Sequence, residues 1–419
     1  MNVISERTLY VGLAADAHGA PTAAGILKLA RRDMIESGSF AYGHRYLAEA
    51  GSIAINPLHL PLQNEPFALP ERRLRDGGAL PLTLRDALPD AWGRLVLEAE
   101  HGPLNDIDVL LMTNAERVGA MVFSETLPIP APGNDGDSFE LGALAEAANR
   151  LEFRMDVPAD LRRLLQPGGS LGGARPKANF IHQGRRCIAK FPARDDELDV
   201  QLLEAATLSL ARACGIRVPA FWLLPVPRGH ALVLERFDRE GPARAERRIH
   251  YLSASALLDV PYASSAGSYV ELAQALRRIS TEPAADMEEL FRRLVFNILV
   301  DNSDDHIKNH GVLHAGGALY RLSPAFDLVP QRMNLGSQQL AILPGKFDSH
   351  LDLAREAAPH FGLSPKPAAE IITSIAETVR TQWLSTLQSL GAPAEMLRAL
   401  EPRFDAQFRT AGASSLLAS

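Results

Sequence analysis

The most informative stretch of this 419-residue chain is Val300-Asp301-Asn302-Ser303-Asp304-Asp305-His306-Ile307-Lys308-Asn309-His310-Gly311. An apolar segment with helical spacing (287–300) precedes it, and a strand-like segment (317–322) follows it. After that strand comes Ser323-Pro324-Ala325-Phe326-Asp327-Leu328, which places a further aspartate beyond one hairpin. So many hydrogen-bond acceptors between two apolar elements favour a functional loop over an ordinary solvated turn.

Three side chains of this region have the chemistry that phosphoryl transfer needs. The carboxylate of Asp304 can orient an attacking hydroxyl and accept its proton. Asn309 and Asp327 can hold Mg²⁺ against phosphate oxygens, since Mg²⁺ takes few protein ligands and leaves the rest to water and phosphate. Because the transition state is loose, this reaction asks the protein mainly for positioning.

A zinc site is the rival interpretation of the same stretch. His306, His310 and His314 are spaced i, i+4 and i+8 and would share one face of an unbroken helix. Asn309 and Gly311 make an unbroken helix there improbable, and the two cysteines of the chain are remote in sequence. The sequence therefore favours Mg²⁺ over zinc.

Two upstream segments add candidate phosphate-binding groups. In Ser170-Leu171-Gly172-Gly173-Ala174-Arg175-Pro176-Lys177, adjacent glycines let backbone N–H groups turn toward an anion, and Arg and Lys add positive charge. The segment matches neither standard phosphate-binding fingerprint, so an ordinary surface turn remains the commoner explanation for it alone. Lys190, late in a strand-like segment, is either an edge lysine or a phosphate-contacting lysine held by Glu204 on a following helix.

Composition describes the class of protein without indicating its chemistry. The hydrophobic share of 46% and the charged share of 22% are typical of a globular chain, and the length predicts two or three domains. No apolar run approaches the roughly 18 residues of a membrane helix, and the first residues do not read as a secretory signal. We therefore expect no membrane association and, with two cysteines, a cytoplasmic protein. The net charge of −7 argues against a chain that binds nucleic acid by itself.

The distribution of turn residues predicts how the chain is divided. Three prolines and two glycines in 127–137 indicate a linker. We expect an N-terminal subdomain at 1–127, the linker at 128–137, a strand-rich lobe at 138–242 and a helical lobe at 243–419. Strand-rich followed by helix-rich sequence predicts an α+β protein with two lobes.

In their order along the chain, these segments resemble the HipA family, bacterial toxin-type serine/threonine kinases with a distant protein-kinase-like fold. The stretch 304–309 resembles the family's D-x-H-x-K-N catalytic loop, and Phe326-Asp327 stands where the family has its metal-binding aspartate. Ser170 to Lys177 resembles the nucleotide loop, Lys190 the β-strand lysine, and 235–239 the junction of the lobes, whose backbone contacts adenine.

The resemblance extends over about residues 8–395. Val11-Gly12-Leu13, Leu88-Pro89-Asp90 and Val118-Gly119-Ala120 resemble the N-terminal subdomain of long family members. The resemblance implies a bilobal protein-kinase-like α+β fold with an N-terminal α/β subdomain and an all-α C-terminal lobe.

The resemblance also implies residue roles. Asp304 would be the catalytic base, Asn309 and Asp327 would bind Mg²⁺, and Glu204 would pair with Lys190. Ser170 would be autophosphorylated, and the added charge of about −1.5 to −2 would eject the loop and inactivate the enzyme. The residues expected to bind ATP are Gly172, Gly173, Ala174, Arg175, Pro176, Lys177, Lys190, Glu235, Arg236, Phe237, His306, Lys308, Asn309 and Asp327.

The resemblance implies ATP and Mg²⁺ as cofactors. It also implies a protein substrate and a HipB-like helix-turn-helix antitoxin as partners, and operator DNA would be contacted only through the antitoxin. Family targets include aminoacyl-tRNA synthetases. The chain departs from the best-known member at 249–254, where it reads Ile-His-Tyr-Leu-Ser-Ala in place of a polar run, which leaves the substrate open. A small-molecule kinase of the same fold and an inactive co-repressor scaffold stay as alternatives, although a scaffold has no physical need for the complete set Asp304, Asn309, Asp327 and Lys190.

Overall fold

The computed structural model describes residues 4–16, 18–133, 140–155, 175–243, 245–262, 266–331 and 336–413. The expected autophosphorylation site, Ser170, lies outside the described residues, as do Gly172, Gly173 and Ala174 of the expected nucleotide loop. Residues 134–137 of the predicted linker do so too. Within the described residues, no helix is both long and apolar enough to cross a lipid bilayer.

The N-terminal part folds around an antiparallel sheet. Its strands are β1 (Ile4–Leu13), β2 (Thr22–Arg32), β3 (Ile35–Tyr42), β4 (Phe67–Arg73) and β5 (Met121–Ser124), and its helices are α1 (His44–Ala48), α2 (Leu82–Arg85), α3 (Ala91–His101) and α4 (Asp106–Met112). The strand order is β4-β3-β2-β1-β5. Leu9, Val11, Leu27, Phe40 and Phe123 alternate onto one face and are almost fully buried, which explains why this segment forms a half-buried sheet.

The strand-rich lobe has a four-stranded antiparallel sheet, with one helix before its first strand and one between its second and third strands. Its elements are α5 (Leu141–Glu152), β6 (Lys177–His182), β7 (Arg185–Lys190), α6 (Val200–Ala213), β8 (Phe221–Pro225) and β9 (His230–Glu235), with strand order β6-β7-β9-β8. Asp199 caps α6 by accepting a hydrogen bond from the Leu202 N–H at 3.0 Å. Because α6 is buried along most of its length, it holds its side chains firmly against the sheet.

The second lobe is mainly helical and is centred on α9. Its elements are β10 (Arg239–Glu240), β11 (Arg247–Arg248), β12 (Tyr251–Ser253), α7 (Ala254–Leu258), α8 (Tyr269–Ile279), α9 (Pro283–Val300), β13 (Gly311–Gly316), β14 (Leu319–Leu322), α10 (Leu351–Ala357), α11 (Pro365–Ser389) and α12 (Ala394–Thr410). The helix α9 ends at Asp301, whose left-handed backbone (φ 56°) turns the chain into the polar loop.

The α+β fold class predicted from the sequence is confirmed, with one difference in detail. The lobe expected to be all-α also contains the sheet β12-β13-β14. Only its last strand was predicted, because β12 spans just Tyr251–Ser253 and shows little alternation. The strands β13 and β14 make up most of the segment between Asn309 and Asp327, so this sheet fixes how far apart the two residues lie. The domain bounds stay predictions, although β5 and α5 do fall on either side of the expected linker.

The N-terminal domain contacts both lobes. The Asn56 side chain donates to the carbonyl of Ala256 at 2.8 Å, and Asp86 accepts from the backbone and hydroxyl of Ser253 in the helical lobe. On the other side, the Trp92 indole donates to the carbonyl of Lys177 at 2.7 Å in the strand-rich lobe. The three parts of the chain therefore pack as one body.

Charged groups are buried at the junction of the three parts. Arg236 donates to the carbonyl of Arg117 at 3.0 Å and to Asp238 at 2.8 Å, and Arg239 also pairs with Asp238. Burial alone would raise the pKa of Asp238, but Arg236 and Arg239 outweigh it and hold that pKa well below its ordinary value. Gly119 donates its N–H to Asp238 at 2.8 Å; its φ of 75° suits glycine, and a Cβ there would lie only 3.1 Å from the backbone nitrogen of Tyr251.

Candidate functional site

A cleft between the strand-rich and helical lobes brings most of the candidate residues together. It encloses a cavity of about 320 Å³. The sequence-predicted residues that line it are Arg175, Lys177, Lys190, Asp304, Asn309 and Asp327. The helix α12 closes the cavity with Leu400 and Arg403, a contribution that the sequence did not indicate. Cations and carboxylates thus face one another across a space of the size of a small polar ligand.

Lys190 is the centre of the charge arrangement. It is the last residue of β7, and its Nζ lies 2.6 Å from Glu204 Oε1 and 2.8 Å from Asp327 Oδ1. Glu204 comes from the buried helix α6, so it has little freedom to move. Burial by itself would lower the pKa of Lys190, but the carboxylates of Asp327 and Glu204 outweigh it and raise that pKa above its ordinary value. Lys190 therefore carries a fixed positive charge in the cleft.

Asp327 lies across the cleft from the sheet, on the segment that follows β14. Its backbone is left-handed (φ 60°), a conformation that few residues other than glycine adopt and that is concentrated at functional sites. The ring of Phe326 packs 5.6 Å from that of Phe237 and holds the segment against the lobe junction. Burial tends to raise the pKa of Asp327, but Lys190 lowers it below its ordinary value, so the carboxylate is ionised.

Asp304 is the exposed carboxylate of the loop. Partial burial raises its pKa, the neighbouring His306 lowers it, and the charge of Asp327 raises it again, with a net rise above the ordinary value. His306 is itself buried, which lowers its pKa despite the carboxylates around it, and its ring meets that of Tyr262 edge-on at 4.6 Å. Asp304 is accordingly a stronger base than an ordinary surface aspartate and remains accessible to a substrate.

Asn309 provides the test of whether the site suits Mg²⁺. It belongs to a short 3₁₀ turn (Ile307–Asn309), is 4% exposed, and its Oδ1 has no hydrogen-bond partner among the described residues. A buried acceptor without a donor costs free energy unless a ligand satisfies it. Asn309 and Asp327 line the same cavity and offer hard oxygens, so the residues present fit a Mg²⁺ ion.

A buried hydrogen-bonded network supports the loop from beneath. Asp305, which is 1% exposed, accepts through Oδ2 from the hydroxyl of Tyr269, and His310 Nε2 lies 3.0 Å from the same oxygen. Asn297 of α9 donates to the Tyr269 hydroxyl at 2.9 Å and accepts from Asn302 at 3.1 Å. Sequence reasoning missed these residues, although an asparagine within the apolar helix α9 was a signal that a polar partner is nearby.

The described part of the glycine-rich segment is attached to other elements. Lys177 Nζ lies 2.6 Å from Asp90 Oδ2 of the N-terminal domain, and Arg175 pairs with Asp196. The carbonyl of Pro176 accepts from the N–H of Phe191 at 2.9 Å, which continues the pairing of β6 with β7.

Six of the described residues that were expected to bind ATP do not line the cavity: Pro176, Glu235, Arg236, Phe237, His306 and Lys308. Arg236 is buried in the junction network, and Phe237 packs against Phe326. Glu235 lies 3.8 Å from Arg185 at the end of β9. Lys308 is near the buried Asp86 of the N-terminal domain. Burial raises the pKa of Asp86 above its ordinary value, and the charge of Lys308 opposes that rise. For Glu235, Arg236 and Phe237, the expectation concerned backbone groups, and it stays a prediction.

The rival zinc interpretation finds no support in the geometry. The ring of His310 bonds to Asp305, whereas His314, on β13, directs its Nε2 to the carbonyl of Gly317 at 2.9 Å. Across the described residues, no group of three or more His, Cys, Asp or Glu side chains is arranged to hold a metal ion.

Comparison with known proteins agrees with this arrangement. Residues 169–383 match the HipA-like C-terminal domain, and residues 16–124 match the HipA N-terminal domain. Two proteins of Sinorhizobium fredii, Y4mE and Y4dM, both named putative kinase, are similar to the chain. Y4mE is 26% identical over 81% of this chain and 85% of its own length, and Y4dM is 25% identical over 76% and 80%.

A solved structure shows the same fold. It is the complex of HipA, HipB and operator DNA from the toxin–antitoxin system of Shewanella oneidensis MR-1, whose matching chain superposes with a TM-score of 0.66 over 96% of both chains at 17% identity. The C-terminal domain match alone covers half of the sequence, and the N-terminal match accounts for most of the remainder. The chain therefore belongs to the HipA family of kinases.

Proposed function

We propose that this protein is an ATP- and Mg²⁺-dependent serine/threonine protein kinase. One observation carries the proposal: Lys190 lies between Glu204 and Asp327 in a cleft that also holds Asp304 and the unsatisfied oxygen of Asn309. Family membership supports it, because a protein retained only as a scaffold gains nothing from this costly set of buried charges.

The residues support an in-line transfer. The acceptor hydroxyl donates its proton to Asp304 as its oxygen forms a bond to the γ-phosphorus of ATP. The bond from that phosphorus to the β–γ bridging oxygen breaks, and ADP leaves with the electron pair. Lys190, held by Glu204, neutralises charge on the nucleotide phosphates, while Asn309 and Asp327 supply the oxygens for Mg²⁺. The metal, when bound, stabilises the charge that develops on the phosphate oxygens.

The proposal includes the partners that the sequence suggested. The Shewanella HipA structure was solved with HipB and operator DNA. We extend this to a HipB-like helix-turn-helix antitoxin that brings operator DNA to the present chain, which at a net charge of −7 has no excess of cations for binding DNA itself. The phosphorylated target is proposed to be a cellular protein, and aminoacyl-tRNA synthetases are the first group to test.

The experiment is phosphorylation of the purified protein with labelled ATP and Mg²⁺. We expect label on Ser170 in the wild type and its loss in Asp304→Asn, which keeps the shape of the side chain but cannot accept the proton. Asp33→Asn, in an exposed turn of the N-terminal domain with φ 55°, is the matched control and should label normally. Equal labelling of wild type and Asp304→Asn would refute the assignment of Asp304. Phosphoproteomics of cells expressing each form then separates a protein target from a small molecule.

A further inference from the structure

Asp90 of the N-terminal domain makes two contacts with its two carboxylate oxygens. Its Oδ1 accepts a hydrogen bond from the Gly93 N–H at 2.8 Å and caps α3. Its Oδ2 lies 2.6 Å from Nζ of Lys177, and both side chains are nearly buried, at 6% and 7% exposed. One side chain therefore joins the start of a helix in the N-terminal domain to a cation of the catalytic cleft.

The position of Lys177 explains why it needs a carboxylate. In the pairing of β6 with β7, Lys177 stands directly opposite Lys190. Like charges in directly opposed positions of a sheet repel each other. Each lysine has a carboxylate in contact with it: Lys190 pairs with Glu204 and Asp327, and Lys177 pairs with Asp90. Both lysines line the same cavity.

Trp92, two residues after Asp90, secures the backbone of the same lysine. Its indole N–H donates to the Lys177 carbonyl at 2.7 Å. Its ring, 3% exposed, belongs to the core of the strand-rich lobe with Cys187, Ala189 and Phe191. The N-terminal domain thus holds Lys177 by the side chain and by the main chain, at the point where the glycine-rich segment enters β6.

We propose that Asp90 and Trp92 are positioning residues of the nucleotide site, which makes the N-terminal domain part of that site. They hold Lys177 beside Lys190 so that the two lysines bind the polyphosphate as a pair. The inference rests on the proposed nucleotide-binding function and adds to it the two residues, and the domain, that hold Lys177 in place.

The test is ATP binding by calorimetry in the presence of Mg²⁺, which does not depend on turnover or on an identified substrate. Asp90→Asn keeps the helix cap, because asparagine caps as well as aspartate does, but it removes the charge that pairs with Lys177. We expect the Kd for ATP to rise about tenfold, as is usual when a group that orients a ligand-binding side chain is lost. Asn105→Ala removes the cap of α4, where Asn105 accepts from the Asp108 N–H at 3.0 Å, and should leave ATP affinity unchanged.

A double-mutant cycle separates positioning from general damage. If Asp90 acts through Lys177, Asp90→Asn in a Lys177→Met background should change the Kd by less than about twofold, because the two effects are not additive. Additive losses, or an unchanged or tighter Kd in Asp90→Asn alone, would overturn the inference. If Asp90→Asn does not fold, Trp92→Phe keeps an aromatic ring in the core but removes the indole N–H that bonds to Lys177, and it too must weaken ATP binding.

Failure of the proposed function would look different. In that case the wild-type protein would not bind ATP, and Lys190→Met would have no effect. If the wild type binds ATP and Lys190→Met weakens the binding, the nucleotide site stands, and the Asp90 variants decide the further inference alone.

Discussion

Replacing Glu204 by glutamine should raise the Mg²⁺ concentration that the protein needs for ATP binding and should lower its stability only moderately. Glu204→Gln preserves the shape of the side chain and removes one of the two carboxylates that contact Lys190. Asp327 then becomes the only carboxylate partner of that lysine among the described residues. Since Asp327 is also the proposed ligand of the metal, Mg²⁺ and Lys190 compete for it more directly in the variant.

The geometry sets the size of both effects. Breaking a buried ion pair that leaves a charge uncompensated costs about 3–5 kcal/mol. Lys190 retains Asp327 at 2.8 Å, so we expect a smaller loss of unfolding free energy, about 1–3 kcal/mol. A strengthening of the Lys190–Asp327 pair by about 1–2 kcal/mol corresponds to a roughly 5–30-fold rise in the Mg²⁺ concentration that supports half-maximal ATP binding.

The assay is a Mg²⁺ titration of ATP binding, run beside urea unfolding of the same preparations. Glu146→Gln is the matched control, because Glu146 pairs with Arg150 at 2.7 Å on the exposed face of α5, where such pairs contribute little. An unchanged Mg²⁺ midpoint in Glu204→Gln would refute the competition for Asp327. A shift of equal size in Glu146→Gln would show that the effect is one of net charge.

Three further predictions follow from the site and the domain junction. Activity should fall at acidic pH as the base Asp304 is protonated, and burial raises the pKa of Asp304. The midpoint of the acidic limb of kcat should therefore lie above pH 3.8, the pKa of an unperturbed aspartate. A midpoint at or below 3.8 would contradict this. Arg403 lines the cavity and forms no ion pair within the described part of the chain. Arg403→Ala should therefore weaken ATP binding several-fold, whereas Arg398→Ala on the same helix should not. Equal effects of the two variants in calorimetry would exclude a role for Arg403. Asp238→Asn leaves Arg236 and Arg239 poorly compensated and should cost about 3–5 kcal/mol in urea unfolding, and a loss below 1 kcal/mol would show that the junction network does not stabilise the fold.

The sequence indicated the proposed catalytic groups more readily than the residues that hold them in place. Asp304, Asn309 and Asp327 were recognisable because they lie close together between strongly apolar segments, and Glu204 because it follows Lys190 on a clearly periodic helix. Asp90 and Arg403 could not be assigned in this way. They are 87 and 226 residues from Lys177, and only the packing of separate elements brings all three to one site.

The polar support of the catalytic loop was missed for a different reason. Asp305 and His310 belong to the quoted stretch, but nothing in the spacing shows that they point inward, toward Tyr269. Alternation between a solvent-facing Asp304 and a buried Asp305 depends on the irregular backbone between α9 and the 3₁₀ turn, which has no sequence period to detect.

The contacts of the N-terminal domain with both lobes also bear on the timing of a reaction cycle. Kinase-like proteins admit and release nucleotide by rotating their lobes about the junction. Here that rotation would strain the Asp90–Lys177 pair on one side, the Asp86–Ser253 contact on the other, and the Arg236 network between them. We therefore expect ADP to leave more slowly than phosphate is transferred, so that the first turnover of each molecule appears as a rapid burst ahead of a slow steady rate.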